Sequence, residues 1–393
     1  MTRLSTFLLL LAAPARAEFS VPGFELVYSY PIETSLEEKN LRQASDVWPA
    51  MFDAAKKTID IEQFYVTPST GEPLEASLQA LERAAKRGVK IRVILEKKFE
   101  KNSLDGIARL KSIPDLDLRV LEWSQVNGDG IIHAKFFIVD STQAYVGSQN
   151  FDWRSLKHIH ELGLRIADAT VVSNVQKVFT HDWALTDDQS GLKLDEQKDP
   201  SADRTARAYL VASPWRRNPN GVGDSESELV KLISEAKLNI AIQLLDYNPT
   251  TYSRPRHFYP PIDNALRDAA VRGVAVKLLV SHWNTDAQSV VHLKSLAMIP
   301  GIEVRIITVP EAKQGTIPFA RTAHSKYMTA DGKTVWIGTS NWAGGYLDSS
   351  RNLEIVVKDE ALAARVATMH AHLWNSPYTN PLEVQRTYSK PRR

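Results

Sequence analysis

The sequence predicts a layered α/β fold with mixed sheets, built twice in one chain. Three observations predict it. Four blocks recur in the same order with a slowly growing offset: 54–62 against 235–243, 84–95 against 269–280, 116–121 against 302–307, and 133–150 against 324–341. Within each copy, segments of alternating or β-branched character follow segments of helical spacing. The chain has 393 residues, of which 43% are hydrophobic and 24% charged, which is globular and long enough for two such units. One matching block is unremarkable, but four collinear ones indicate duplication.

The elements follow in order. Residues 1–17 read as a signal peptide: Arg3 gives the positive start, 7–13 the short apolar core, and Ala15 and Ala17 the cleavage site, so the mature chain begins at Glu18. The first copy occupies 18–185. It is expected to hold strands over 58–66, 89–95, 116–123, 131–139, 143–146 and 162–167. Helices are expected over 73–86, 104–113 and 171–184. Gly88 suits a helix C-cap and Pro114 a stop. The polar stretch 186–207 reads as a linker. The second copy occupies 208–378, and Ser225 with Glu228 predicts a capping box opening a helix over 225–236. Residues 379–393 read as a loose basic tail.

Composition excludes several chemistries. The chain has no cysteine, which removes thiol catalysis, zinc ribbons, iron–sulfur ligation and disulfide stapling. It has no apolar run long enough to span a membrane as a helix. The net charge of +2 belongs to Arg3 and Arg16, so the mature chain is neutral and any anion site must be local. An exported, periplasmic or secreted protein held by its core is expected.

The chemistry concentrates in the fourth repeat. The first copy reads His133, Lys135, Asp140, then Gly147-Ser148-Gln149-Asn150. The second reads His324, Lys326, Asp331, then Gly338-Thr339-Ser340-Asn341, at the same spacing. Residues at i and i+2 of a strand share a face, so each copy aims an imidazole and an ammonium at one spot, where Asn150 or Asn341 joins them. Two such sets meeting across a pseudo-two-fold make a phosphate pocket. The lysines neutralise non-bridging oxygens, the asparagines donate hydrogen bonds, and one histidine faces each side of the phosphorus. Asp140 and Asp331 are expected to brace the turn after each strand. No metal or cofactor is implied, since the pocket is cationic and lacks a carboxylate cluster. Lys157, His158 and His160 find no further ligand at metal spacing. The stretch 219–223 lacks the ending of a phosphate-binding loop.

This paired HxK(x)4D(x)6GSxN pattern resembles the signature of the phospholipase D superfamily, over about residues 25–375. The text around Trp153, Glu161, Phe258, Arg321 and Trp342 is similar to animal lysosomal phospholipase D-like 5′ exonucleases and their poxvirus envelope relatives. The chain departs from them in having no cysteine and a cleavable signal instead of a membrane anchor. The resemblance implies a duplicated phospholipase D-type α/β/α sandwich with two halves sharing one active site, and a metal-independent phosphodiesterase working through a covalent phosphohistidine. It implies His133 as nucleophile and His324 as acid and base, with the order reversible by symmetry. It also implies Glu161 and Glu354 as the carboxylates that bond the imidazole Nδ1 atoms, and it suggests a homodimer. Two substrates stay open: single-stranded DNA or RNA taken from the 5′ end, or envelope phospholipid. Ser148, Thr339, Tyr65, Trp153 and Trp342 are candidate substrate contacts, and Tyr247, Tyr252, Phe258, Tyr259 and Tyr346 are further aromatics for stacking.

Overall fold

The computed structural model describes residues 18–187, 201–252 and 255–392. The expected signal segment and residues 188–200 of the expected linker lie outside the described residues.

The first half is strand β1 (Phe24–Ser29), helix α1 (Ala44–Ala54), β2 (Thr58–Gln63), α2 (Leu74–Lys86), β3 (Lys90–Glu96), α3 (Leu104–Lys111), β4 (Leu116–Leu121), β5 (Lys135–Val139), β6 (Gln143–Gly147), β7 (Glu161–Ile166) and α4 (Ala169–Leu185). The second half repeats it: β8 (Ala208–Ser213), α5 (Ser225–Glu235), β9 (Asn239–Leu244), α6 (Pro260–Val271), β10 (Ala275–Ser281), α7 (Val290–Ala297), β11 (Ile302–Ile307), β12 (Tyr327–Ala330), β13 (Thr334–Gly338), β14 (Asn352–Lys358), α8 (Glu360–Trp374) and β15 (Thr379–Pro381). The sheets run β1-β7-β6-β5-β2-β3-β4 and β8-β14-β13-β12-β9-β10-β11, the same order in both halves, and β15 extends the second.

The central strands are buried on both faces, as sheets between helical layers require. In β5, Phe136 and Ile138 enter a core that also takes α4, α8 and the inner face of the second sheet. Phe137 and Val139 point the other way, into a core with α1, α2 and α3. A matching outer core lies under α5, α6 and α7. Because one core is filled by side chains of both sheets, the two halves are locked together rather than merely linked.

Differences from the sequence reading have local causes. The strand expected over 131–139 pairs only from Lys135; ahead of it, Ile132 bridges Arg351 of the other half instead. The capping residue of α5 is Asp224, whose carboxylate accepts from the Ser227 N–H at 3.1 Å, while Ser225 turns its hydroxyl to Glu354. Helix α1, with Pro49 inside it, precedes the first element the sequence reading placed. The tail expected to be loose is tethered: β15 pairs with β11, and the Leu382 N–H donates to the Val304 carbonyl at 3.0 Å.

Candidate active site

The segments carrying the two conserved-spacing motifs meet between the halves. Ile132 forms a parallel bridge with Arg351, and His160 forms one with Ala323. The His133 N–H donates to the Arg351 carbonyl at 2.9 Å, and the His324 N–H to the His160 carbonyl at 2.8 Å. Each imidazole is thereby set beside a side chain of the opposite half. His133 Nδ1 lies 2.9 Å from Asn352 Oδ1, and His324 Nδ1 lies 2.7 Å from Glu161 Oε2. Glu161 is fully buried and held in turn by the Ser155 hydroxyl at 2.6 Å.

The lysines sit under the histidines. Lys326 donates to the His324 carbonyl at 2.5 Å, and Lys135 donates to the His133 carbonyl in the same way. Both are fully buried, and Lys135 and Lys326 are near enough to act on each other and on both imidazoles. Burial pushes both ammonium groups down, Lys326 to about 7 with Glu161 opposing the fall. Lys135 is lowered by burial and by Lys326. Burial and the two lysines hold both histidines well below the ordinary imidazole range. Burial lifts Glu161 to about 7 against the pull of Lys326. A carboxyl pushed up and an imidazole pushed down, in direct contact, compete for one proton. Two such lysines in a desolvated pocket favour an arriving anion, which restores their charged form.

The sequence placed one orienting residue wrongly. Glu354 does not reach His133. It takes the hydroxyl of Ser225, and that of Ser340 at 2.5 Å. Sheet register explains why. Gly147 faces Gly163 across β6 and β7, and Gly338 faces Glu354 across β13 and β14, so Glu354 matches Gly163 and the counterpart of Glu161 is Asn352. A Cβ on Gly338 would collide with the Glu354 side chain, so that glycine makes room for the carboxyl. The sequence held the signal, since Asn352 follows His324 at the same distance as Glu161 follows His133.

A pair of substitutions separates these roles. Asn352→Ala is expected to lower kcat about 10- to 100-fold by freeing the His133 ring, whereas Glu354→Gln stays within about threefold of the parent. Burial lifts Glu354 to about 8, so the folded protein holds a proton there that the unfolded chain gives up near 4.5. That group's contribution is therefore lost as pH rises from about 4.5 to about 8. Glu354→Gln should thus gain melting temperature relative to the parent between about pH 5 and pH 8. Equal losses of kcat in the two variants would contradict the assignment.

The remaining expected residues divide clearly. Asn150 and Asn341 occupy matching places, both buried, and the Oδ1 of each has no hydrogen-bond partner among the described residues. Thr339 donates to Asn352 Oδ1 at 2.9 Å, so it braces the residue that braces His133. Ser148 closes a local pair with Leu162. Asp140 and Asp331 each accept three backbone N–H groups, from Lys56, Lys57 and Thr58 and from Lys237, Leu238 and Asn239. Both brace turns at left-handed φ, away from the imidazoles. Trp342 is 1% exposed and packs on Trp336, and Tyr247 is equally buried with its hydroxyl on Asp263, so both belong to the core rather than to a binding face. Trp153 is partly buried against His158. Tyr65 donates to Asp152 at 2.9 Å and packs beside Phe64.

On the His133 side, the sequence reading named the rings of Tyr346 and Tyr252 and missed those of Phe64 and Phe99. Phe64 meets the imidazole edge-on at 5.3 Å and Tyr346 at 4.7 Å between centroids. Phe99 lies 4.1 Å beyond Phe64, and Tyr252, half exposed, 5.5 Å beyond Tyr346. It also missed Arg351. That guanidinium is fully buried, paired with Asp182 of α4 at 2.8 Å, bonded to the Arg217 carbonyl at 2.8 Å, and stacked 4.7 Å from the Trp123 ring. Only the fold brings these partners together.

Comparison with known proteins agrees with the duplicated fold. The family model described as "Cardiolipin synthase, PLD-like domain" matches residues 50–183 and 229–374, one stretch per half. Among curated proteins, the chain is 34% identical to the 5′-3′ exonuclease PLD3 of Xenopus laevis, over 84% of this chain and 75% of that one. It is 31% identical to phospholipase D Z of Dictyostelium discoideum, over 92% and 91%. Among solved structures, a phosphatidylserine synthase from Haemophilus influenzae superposes with a TM-score of 0.64 at 12% identity, covering 92% of this chain and 87% of that one. At that identity the likeness speaks for the fold alone.

Proposed function

Because the chain belongs to the phospholipase D family and is a phosphodiesterase of that family, we propose that it works through a covalent phosphohistidine on His133 and removes nucleotides from the 5′ end of single-stranded nucleic acid. The unequal Nδ1 partners support the division of labour. Asn352 is a neutral acceptor, so His133 stays a neutral imidazole whose Nε2 lone pair is free to attack. Glu161 is a carboxyl that can hold or give up the proton of the pair, and in its ionised form it favours the imidazolium form of His324 that a general acid needs.

The two steps balance. His133 Nε2 bonds to phosphorus as the bond to the leaving oxygen breaks, and His324 gives that oxygen its proton. Water then attacks phosphorus, His324 takes the water's proton, and the nitrogen–phosphorus bond breaks to restore His133. Lys135, Lys326, Asn150 and Asn341 hold the non-bridging oxygens through both steps.

The observation that carries the substrate reading is the run of aromatic rings leading outward from His133: Phe64 and Phe99 on one side, Tyr346 and Tyr252 on the other. Bases stack on such rings without regard to sequence. The 5′-to-3′ polarity rests on similarity to the relatives that bear that name. The test is an oligonucleotide with a free 5′-hydroxyl and a fluorophore on the base of its first nucleotide, incubated in EDTA, with His133→Ala as the blank. Immediate loss of label to a short product is expected. An intact oligonucleotide alongside release of head groups from phospholipid vesicles would overturn the substrate reading and leave the chemistry standing. Phe64→Ala is expected to raise KM for an oligonucleotide about 10-fold and to leave a small chromogenic diester within about threefold, by loss of one stacked base.

A further inference from the structure

The C-terminal tail, which the catalytic reading leaves without a role, forms one wall of a groove of about 360 Å³ on the second half, with His282, Thr308 and Asn380 opposite Arg386, Lys390 and Arg392. The tail is built in place rather than laid on. Leu382 is buried, and Tyr388 packs against the outer core of the second half. The Tyr388 hydroxyl accepts from the Glu383 N–H at 2.8 Å, Lys294 donates to the Arg386 carbonyl at 2.7 Å, and Thr285 donates to the Ser389 carbonyl at 3.4 Å.

The local charge is positive. Arg386, Lys390 and Arg392 are exposed. Arg386 has Glu383 at 3.2 Å, whereas among the described residues Lys390 and Arg392 form no ion pair.

The groove opens at the same end of the sheet as the histidines. Tyr327 of β12 pairs with Gln243 near the end of β9, so His324 and Lys326 lie at the C-terminal end of β9. Strands β10 and β11 run parallel to β9, which puts His282 and Thr308 at that end too. Ser281 also joins Thr322, two residues before His324, at 2.6 Å. Three strand spacings separate β12 from β11, roughly 15 Å in all.

We propose that this groove holds the phosphodiester backbone of a nucleic-acid strand a few nucleotides away from the phosphate being cleaved, with Lys390 and Arg392 as its phosphate contacts. The inference rests on the strand-cleaving reading above and names where the rest of the strand lies. Phosphate contacts of this kind position a strand and make its binding depend on salt.

The test is a Lys390→Glu, Arg392→Glu double variant, which changes exposed side chains only. It is assayed on bis(p-nitrophenyl) phosphate, a trinucleotide and a 20-mer oligothymidylate at several salt concentrations. The expected result is an unchanged rate on the small diester, a KM change below about twofold on the trinucleotide, and a rise of roughly tenfold on the 20-mer with a shallower salt dependence. A 20-mer KM equal to the parent's overturns the inference while cleavage by the parent keeps the strand reading. A parent that hydrolyses the small diester and leaves both oligonucleotides intact overturns both. A variant that loses only its binding to phosphatidylglycerol vesicles assigns the groove to lipid and overturns the inference.

Discussion

His133→Ala and His324→Ala are each expected to lower turnover by about four orders of magnitude or more, roughly 5.5 kcal/mol of barrier. The reason is geometric. Each imidazole is anchored by a backbone bond and an Nδ1 bond from the other half, so the chain has one site made of two sets rather than two sites. Two independent sites would leave about half the activity in either variant. A shared site leaves none, because one histidine makes the covalent bond and the other moves the proton. Other buried imidazoles do not substitute. His160 is turned to Ser325 and His370 to Tyr327. Burial also holds these two neutral, at about 4 and about 3. Initial rates on bis(p-nitrophenyl) phosphate check the prediction, and substantial turnover by either variant would contradict the shared pocket.

Glu161→Gln carries the second large effect, and its size should depend on the leaving group. With the carboxyl gone, a buried imidazolium beside Lys135 and Lys326 loses the carboxylate bonded to its Nδ1, so His324 holds its proton less well. A nucleotide hydroxyl leaves poorly without that proton, and its release should slow about 100- to 1000-fold. Nitrophenolate leaves without help, so the slowing on its ester should be about 10-fold or less. The pH profile should move in a definite direction. A general acid works below its own pKa, and removing the carboxylate lowers that value, so the variant's decline in rate with rising pH begins at lower pH than the parent's. Equal slowing on both esters, with an unshifted profile, would mark Glu161 as a structural residue only.

Much of this site was legible because duplication repeats spacing. His133, Lys135, His324 and Lys326 stand out twice at equal intervals, and no tertiary information is needed to pair them. The α/β alternation was equally visible, since periodicity encodes which face of an element is buried. The Glu354 error came from residue type rather than spacing: a carboxylate in an apolar strand looked like a partner for His133, but Asn352 and Glu354 share one strand face, and the register that equal spacing reflects puts Asn352 at the ring. Tyr346 was named among the aromatics near the motifs, but Phe64 and Phe99 were hidden for a different reason. Phe64 and Phe99 follow different strands, and nothing in the sequence distinguishes a ring beside a catalytic histidine from one in a core. Trp342 is the converse, an aromatic next to a motif that turns out to be buried. Arg351 was hidden because its partners, Asp182 and the Arg217 carbonyl, come from far along the chain.

The most direct measurement is a burst experiment with His324→Ala and bis(p-nitrophenyl) phosphate, followed by intact-mass analysis at alkaline pH. Nitrophenolate needs no acid to leave, so the first step should run, while the second lacks its base. The account predicts a burst of one nitrophenolate per chain and a stable phosphoryl adduct on His133, with neither in His133→Ala. An adduct on His324 in the His133→Ala protein, or a His324→Ala protein that turns over with no adduct, would contradict it.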